Sequence, residues 1–127
     1  GIKEVILDPQ NPSLAQSYNN LGLFYKNKGE YEKAENYILR CIKIWEAVLD
    51  PQNSDLGIAY NNLGLLYQDK GDYEKAEEFM FKCLRILEAV LDPRHPNLAT
   101  IKSNLGSLQN LKSFLKLTHL SKIETNK

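Results

Sequence analysis

The sequence lacks an excess of charge of either sign. Lysine and arginine together number 16, aspartate and glutamate also number 16, and the formal net charge at pH 7 is zero. Proteins that bind nucleic acid or an anionic membrane surface by electrostatic attraction concentrate positive charge on one side. The balanced composition therefore argues against both kinds of partner.

The sequence also lacks a long hydrophobic run. No apolar stretch approaches the roughly 20 residues that a membrane-spanning helix needs, and no secretory signal peptide opens the chain. These two absences predict a soluble protein of the cytoplasm.

Residues that carry catalysis or metal binding are scarce. The chain has two histidines, and neither His95 nor His119 has cysteine, histidine or carboxylate partners at the spacing of a zinc site. A glycine-rich phosphate loop and a nucleophile motif are absent as well. The sequence therefore predicts a protein that is not an enzyme and needs no cofactor.

What the sequence does have is internal repetition. Residues 7–48 return as residues 49–90 with about 25 of 42 positions identical and no gap, and a third copy opens at Leu91. Self-similarity at such a period is typical of stacked-repeat architectures, in which each unit contacts only its neighbours. We therefore expect a short array of repeats and an elongated core.

The spacing of apolar residues predicts two helices in each unit. Apolar and small residues of the first half recur every three or four positions, as in one face of a helix, and Gly29 suits a helix C-terminus. The second half keeps this spacing until Asp50-Pro51, which a helix does not continue through. The two stripes of the first unit are Leu14, Tyr18, Leu21, Gly22 and Tyr25, then Tyr31, Ala34, Ile38, Cys41, Ile42, Trp45 and Val48.

Two segments resemble the tetratricopeptide repeat signature, namely Tyr18-x-x-Leu21-Gly22-x-x-Tyr25 followed by Ala34, and Tyr60-x-x-Leu63-Gly64-x-x-Tyr67 followed by Ala76. The 42-residue unit and the linker Asp92-Pro93-Arg94-His95-Pro96 resemble the repeats of kinesin light chains. The resemblance covers residues 7 to about 112. It implies an all-α solenoid of helix-turn-helix units, with two full repeats and partial repeats at both ends.

The whole chain, residues 1–127, is interpreted as a single array. Residues 1–6 align with the end of a second helix, so we expect an upstream repeat before them. Residues 7–48 and 49–90 form repeats 1 and 2. Residues 91–127 form a degenerate third repeat or a C-terminal helix.

The third copy loses its landmarks after about Lys112. Ser113 replaces the glycine that stops the earlier first helices, so we expect the helix that starts near Asn97 to run past Ser113. Its apolar stripe would then lie uncovered, and such patches usually mark contact surfaces. The expectation is a homodimer through this helix. The alternative is a short second helix that folds back as a cap.

Asparagines recur at the 42-residue step, as Asn20, Asn62 and Asn104. By resemblance, the first helices line a concave groove, and this position often bonds to the backbone of an extended peptide. A carboxamide suits that role because it offers both a donor and an acceptor. The alternative is that the asparagines bond to neighbouring helices. The predicted peptide-binding residues are Asn19, Asn20, Leu23, Lys26, Asn27, Ile58, Asn61, Asn62, Leu65, Gln68 and Asn104, with Gln16, Asp69, Thr100 and Ser107 beside them.

The resemblance implies a module that binds a protein or peptide partner. The alternative function is a structural or self-associating scaffold segment of a larger multi-repeat protein, without a peptide ligand. Repeats that clamp the C-terminal carboxylate of chaperones carry lysine and arginine where this chain has Asn19, Leu23, Asn62, Thr100 and Asn104, so we do not expect that partner. The cargo preference of kinesin light chains is not transferred, since it needs a basic groove.

Cys41 and Cys83 occupy equivalent positions of successive second helices. Packed helices lie roughly 8–10 Å apart, which puts the two thiols beyond the Cα separation of about 7 Å that a disulfide allows. We expect two buried free thiols. The acidic starts of the second helices, around Glu32 and Glu74, are interpreted as partners of the helix dipole.

Overall fold

The computed structural model describes residues 11–125, and over this range the chain is all-helical. The expected helix-turn-helix solenoid is confirmed, while the prediction for residues 1–6 lies outside the described range. None of the described helices is long and apolar enough to cross a membrane. The helices are α1 (Pro12–Asn27), α2 (Tyr31–Val48), α3 (Ser54–Lys70), α4 (Tyr73–Val90) and α5 (Pro96–Thr125).

Side chains in the linkers fix where the first helices begin. The Oδ1 atoms of Asn11 and Asn53 accept hydrogen bonds of 2.8 Å from the backbone N–H groups of Ser13 and Asp55. His95 caps α5 in the same way, since its Nδ1 accepts a hydrogen bond of 3.1 Å from the backbone N–H of Asn97. These bonds satisfy amide groups that have no partner within the helix.

Glycines separate the two helices of each complete unit. Gly29 and Gly71 have φ angles of 80° and 86°, in the left-handed region that side chains with a Cβ avoid. The chain therefore reverses after α1 and after α3, and each first helix packs against its own second helix. The turns stand where the sequence predicted them.

The core is a seam that runs through the stack. Helix α1 packs on α2, α3 packs on both α2 and α4, and α5 packs on α4. The buried apolar stripe of the second helices ends one turn earlier than the sequence predicted, because Val48 and Val90 are exposed. The large side chains that are fully buried are Ile38, Leu63, Leu66, Met80, Leu87 and Leu108.

Glycine lets the two helices of a unit approach closely. A Cβ on Gly64 would lie 2.9 Å from Met80 Cγ and 3.0 Å from the carbonyl oxygen of Ala76, and one on Gly22 would meet the Ile38 side chain. A Cβ on Gly106 would meet no atom within 4 Å. The 42-residue step would predict a helix contact at Gly106 as well, but no second helix of the third unit follows in the described chain.

Helix α5 runs without interruption over 30 residues and passes through Ser113, as the sequence predicted. The alternative, a short second helix that folds back as a cap, is wrong. Beyond the end of α4 the helix leaves apolar side chains in solvent, with Phe114 64% and Leu117 66% exposed. Serine has no preference for the left-handed conformation, so nothing at this position ends the helix.

Candidate functional site

The candidate site lies on the solvent-facing sides of the first helices α1, α3 and α5. We call this surface the amide face and define it by the 42-residue series at Asn20, Asn62 and Asn104. Of these helices, α1 contacts α3 directly. The periodicity of α3 explains the arrangement, because positions 58, 62, 65 and 69 share one side of the helix and Leu63 and Leu66 point to the core.

Apolar side chains lie at the centre of the amide face. Ile58 of α3 is 41% exposed, which is unusual for isoleucine on a helix with eight buried residues. Leu65 of α3 and Leu23 of α1 are half-buried in the same register. These three residues were predicted as site residues, and the structure places them on one surface.

The amides of neighbouring helices bond to each other. Asn62 Nδ2 donates to Asn19 Oδ1 at 3.2 Å across the boundary between α1 and α3. Asn19 is 6% exposed, so most of its amide lies in the interface between the helices. Asn20 is exposed and its Oδ1 accepts from Gln16 Nε2 at 3.1 Å. Asn19 thus has a structural partner, while Asn20 faces solvent.

The next boundary, between α3 and α5, lacks the equivalent bond. Asn61 and Asn104 correspond to Asn19 and Asn62, and both are half-buried. The Oδ1 of Asn61 is buried and has no hydrogen-bond partner in the described part of the chain. A buried acceptor without a donor costs about 1–3 kcal/mol. Hydrogen-bonding capacity therefore stays unused at this end of the amide face.

The amide face carries little net charge. Lys26, the cation that the sequence placed there, forms an ion pair with Asp69, with Nζ 3.4 Å from Oδ2. Asn27 is exposed and Gln68 is half-buried beside this pair. A lysine that is already paired offers less attraction to an anionic ligand, so the geometry does not resemble a carboxylate clamp.

A set of ion pairs between successive units was not predicted from the sequence. Lys70 Nζ lies 2.9 Å from Glu32 Oε1 and 3.1 Å from Glu35 Oε1. Lys112 Nζ stands in the same relation to Glu74 and Glu77, at 3.0 and 3.3 Å. The signal was present in the 42-residue recurrence of these lysines and glutamates.

These ion pairs change the interpretation of the glutamates in the first turns of the second helices. The hydrogen bonds that Lys70 donates to Glu32 and Glu35 raise the pKa of the lysine. The glutamates were interpreted as partners of the helix dipole alone. They also form ion pairs with the lysine of the following first helix, Lys70 on α3 or Lys112 on α5, and so link successive units.

Nothing in residues 11–125 suggests metal binding or thiol chemistry. No group of three or more histidine, cysteine, aspartate or glutamate side chains there could hold a metal ion. Cys41 and Cys83 are buried free thiols, as predicted. Burial raises the pKa of both thiols to about 12, so neither is a ready nucleophile.

The chain matches the tetratricopeptide repeat family model over residues 13–89 and again over residues 55–113. The two matches together cover most of the chain. No curated protein sequence matches it significantly.

Solved structures with the same architecture include BtubC (BKLC) from P. vanneervenii, with 23% identity and a TM-score of 0.77 over 83% of this chain. The nearly identical TPR-like repeats of a kinesin-light-chain-type protein of Podosopora anserina follow, with 19% identity and a TM-score of 0.72 over 84%. The present chain spans 42% and 50% of those two chains.

The N-terminal domain of stress-induced protein-1 from C. elegans is also similar, with 19% identity, a TM-score of 0.59 and coverage of 84% of this chain and 74% of that one. At these identities the likeness concerns the fold alone.

Proposed function

We propose that the chain, which belongs to the tetratricopeptide repeat family, binds an extended peptide along the amide face. Tetratricopeptide repeats are generally protein-interaction modules. In this proposal the partner is a protein or peptide of the cytoplasm. The contact residues are Asn20, Leu23, Lys26, Asn27, Ile58, Asn61, Asn62, Leu65, Gln68 and Asn104. Asn19 is left out, because it is nearly buried and bonded to Asn62.

The observation that carries the proposal is the exposure of Ile58 beside Asn62 at the centre of the amide face. An extended peptide presents its main-chain donors and acceptors together with side chains that alternate in direction. Carboxamides match the main chain, and an exposed isoleucine between them offers an apolar contact for one side chain. The surface thus combines the two contacts that such a ligand requires.

The charge of the amide face limits the kinds of peptide that it can bind. Because Lys26 is paired with Asp69, an acidic peptide finds no unpaired lysine at this point of the surface. We infer a peptide of low net charge with an apolar side chain seated near Ile58. The interaction then depends weakly on salt.

A peptide-display selection against the whole chain tests this proposal. The selected peptides are expected to share a consensus with an apolar residue. Ile58→Ser should lower the affinity of the chain for the selected peptide by about tenfold, because apolar contact area is lost. Leu39→Ser is the matched control, since Leu39 of α2 is 43% exposed and lies outside the amide face. A selection without a consensus, or equal losses in both variants, contradicts the proposal.

A second candidate function is a scaffold that assembles through α5. The specific observation is the exposed apolar stripe in the second half of this helix, which includes Phe114, Leu117 and Leu120. Contiguous apolar surface of this kind usually marks an interface, and two copies of one helix pair most simply about a two-fold axis. This candidate predicts a homodimer whether or not a peptide binds to the amide face.

A further inference from the structure

Two polar contacts close the boundary between the first helices α1 and α3. Asn62 Nδ2 donates to Asn19 Oδ1 at 3.2 Å, and Lys26 Nζ lies 3.4 Å from Asp69 Oδ2. Each contact joins a side chain of α1 to a side chain of α3. The chain itself therefore supplies the polar partners at this boundary.

Neither contact is repeated at the boundary between α3 and α5 in the described chain. Asn61 takes the place of Asn19, and its Oδ1 is buried without a hydrogen-bond partner in residues 11–125. Leu111 takes the place of Asp69, so the carboxylate of the ion pair is missing. Helix α3 also contacts α5 less than it contacts α1. We call the opening between Asn61 of α3 and Asn104 of α5 the α3–α5 gap.

The two asparagines of the α3–α5 gap match a ligand group that has both a donor and an acceptor. Asn61 Oδ1 lacks a donor, and Asn104, half-buried on α5, brings donor hydrogens of its own. A carboxamide serves both, and at the first boundary the corresponding donor is the carboxamide of Asn62. The side chain must also reach between two helices while the peptide main chain lies on their surface, which favours glutamine or asparagine over serine.

A cationic side chain is disfavoured in the α3–α5 gap. At the first boundary the array accommodates a cation because Lys26 is paired with Asp69. Helix α5 has no carboxylate at its amide-face positions, which are Thr100, Asn104, Ser107 and Leu111. A cation between α3 and α5 would lose solvent without gaining a carboxylate partner, which is costly. The neutral amide is therefore the better donor.

Ile58 sets the distance between this amide and the apolar side chain of the ligand. Asn61 lies one turn after Ile58 on α3, and residues three apart on a helix have Cβ atoms about 5–6 Å apart. In an extended peptide, side chains that point the same way are two residues apart, which is about 6–7 Å. The two ligand side chains are therefore expected to have one residue between them.

We propose that the α3–α5 gap is a specificity site for a glutamine or asparagine side chain of the bound peptide. The inference rests on the proposed function, because it names a feature of the peptide that binds along the amide face. Asn61 as a whole is half-buried, so a rotation of its amide turns Oδ1 toward the opening. The ligand carboxamide then donates to Asn61 Oδ1 and accepts from Asn104 Nδ2.

Asn61→Leu tests the free chain by urea unfolding. Leucine has nearly the shape of asparagine and removes a buried acceptor that has no donor, so the unfolding midpoint should stay unchanged or rise. Asn36→Leu, at an exposed position of α2, measures the general effect of this exchange on helix stability. A midpoint below that of the parent chain in Asn61→Leu would overturn the proposal, since it would show that Oδ1 is already bonded without a ligand.

Peptides selected against the whole chain test the chemistry of the ligand. Their consensus should contain glutamine or asparagine two positions from the apolar residue. Exchange of this residue for one of similar shape, methionine for glutamine or leucine for asparagine, should weaken binding to the parent chain by about tenfold. The same exchange should hardly change binding to the Asn61→Leu chain. The Asn36→Leu chain should keep the preference of the parent.

The outcomes separate this inference from the proposed function. A selection that returns no consensus contradicts the proposed function, and the inference with it. A consensus with an apolar residue but without a carboxamide overturns the inference alone. An equal preference for the carboxamide peptide in the parent and Asn61→Leu chains does the same, because the amide would then bind elsewhere.

Discussion

Asn62 of α3 donates a hydrogen bond from Nδ2 to Oδ1 of Asn19 in α1, at a distance of 3.2 Å. The bond joins the first helices of successive units at the edge of the amide face. Asn19 is nearly buried, so the bond belongs to the packing of the array. The bond uses Nδ2 of Asn62, and its Oδ1 is the acceptor that the proposed peptide would use, because a carboxamide has two donor hydrogens and an acceptor.

Replacing Asn62 with alanine should therefore affect both stability and binding. In the variant Asn19 Oδ1 loses its hydrogen-bond donor. We expect a loss of unfolding free energy of about 1 kcal/mol by chemical denaturation. Binding of a selected peptide should weaken by about 1–3 kcal/mol in calorimetry.

Asn20→Ala separates the two effects, because Asn20 is exposed and bonds only to Gln16 among the described contacts. It should reduce peptide binding and leave the unfolding curve in place. Normal binding by the Asn62 and Asn20 variants would mean that the asparagines are structural.

Gly64→Leu should destabilise the array, because any side chain at this position meets Met80 and the backbone of Ala76. The expected cost is about 1–3 kcal/mol, measured by thermal or urea unfolding. Gly106→Ala is the matched control, since it lies in the same register with open space around it. That variant should keep or raise the stability, because alanine favours a helix over glycine. An unchanged melting temperature in Gly64→Leu would refute the helix-pair geometry.

Cys41 and Cys83 should react slowly with iodoacetamide at pH 8 in the folded protein. Burial raises the pKa of both thiols to about 12, so little thiolate is present. In the unfolded chain the thiols ionise near pH 8.5. As pH rises from there toward 12, the folded state holds more protons and loses stability by linkage. Alkylation in urea should proceed to completion. Rapid labelling without denaturant would show that the thiols are accessible.

Tyr60→Phe should weaken the contact between units 1 and 2. The hydroxyl group of Tyr60 on α3 donates a hydrogen bond of 2.6 Å to Glu46 Oε2 on α2. The bond joins the first helix of unit 2 to the second helix of unit 1. We expect a loss of about 1 kcal/mol in urea unfolding. Glu46→Leu combined with Tyr60→Phe should cost less than the sum of the two single changes.

Sedimentation should detect the dimer proposed for α5. Phe114→Ser together with Leu117→Ser removes two exposed apolar side chains and should yield a monomer without loss of helix content. Leu39→Ser, on α2, serves as the control for a general decrease in surface hydrophobicity. A parent chain that sediments as a monomer at every concentration would exclude this dimer.

Much of the fold followed from the sequence because its signals are local and repeated. Helix positions came from three- and four-residue spacing, and the turns came from Gly29 and Gly71, where only a left-handed conformation reverses the chain. The continuation of α5 past Ser113 also followed, since the stop signal is a single residue. The positions of the amide face were predicted from the 42-residue step, although their role in binding is still a proposal.

What only the tertiary structure decided concerns partners that lie far apart in sequence. Periodicity places Asn19, Lys70 and Gly106 on their helices, but it does not state which atoms lie opposite them. The bond to Asn62, the pairing of Lys70 with Glu32 and the open space at Gly106 depend on how neighbouring helices pack. Such contacts depend on interhelical distance and angle, and a one-dimensional pattern contains neither.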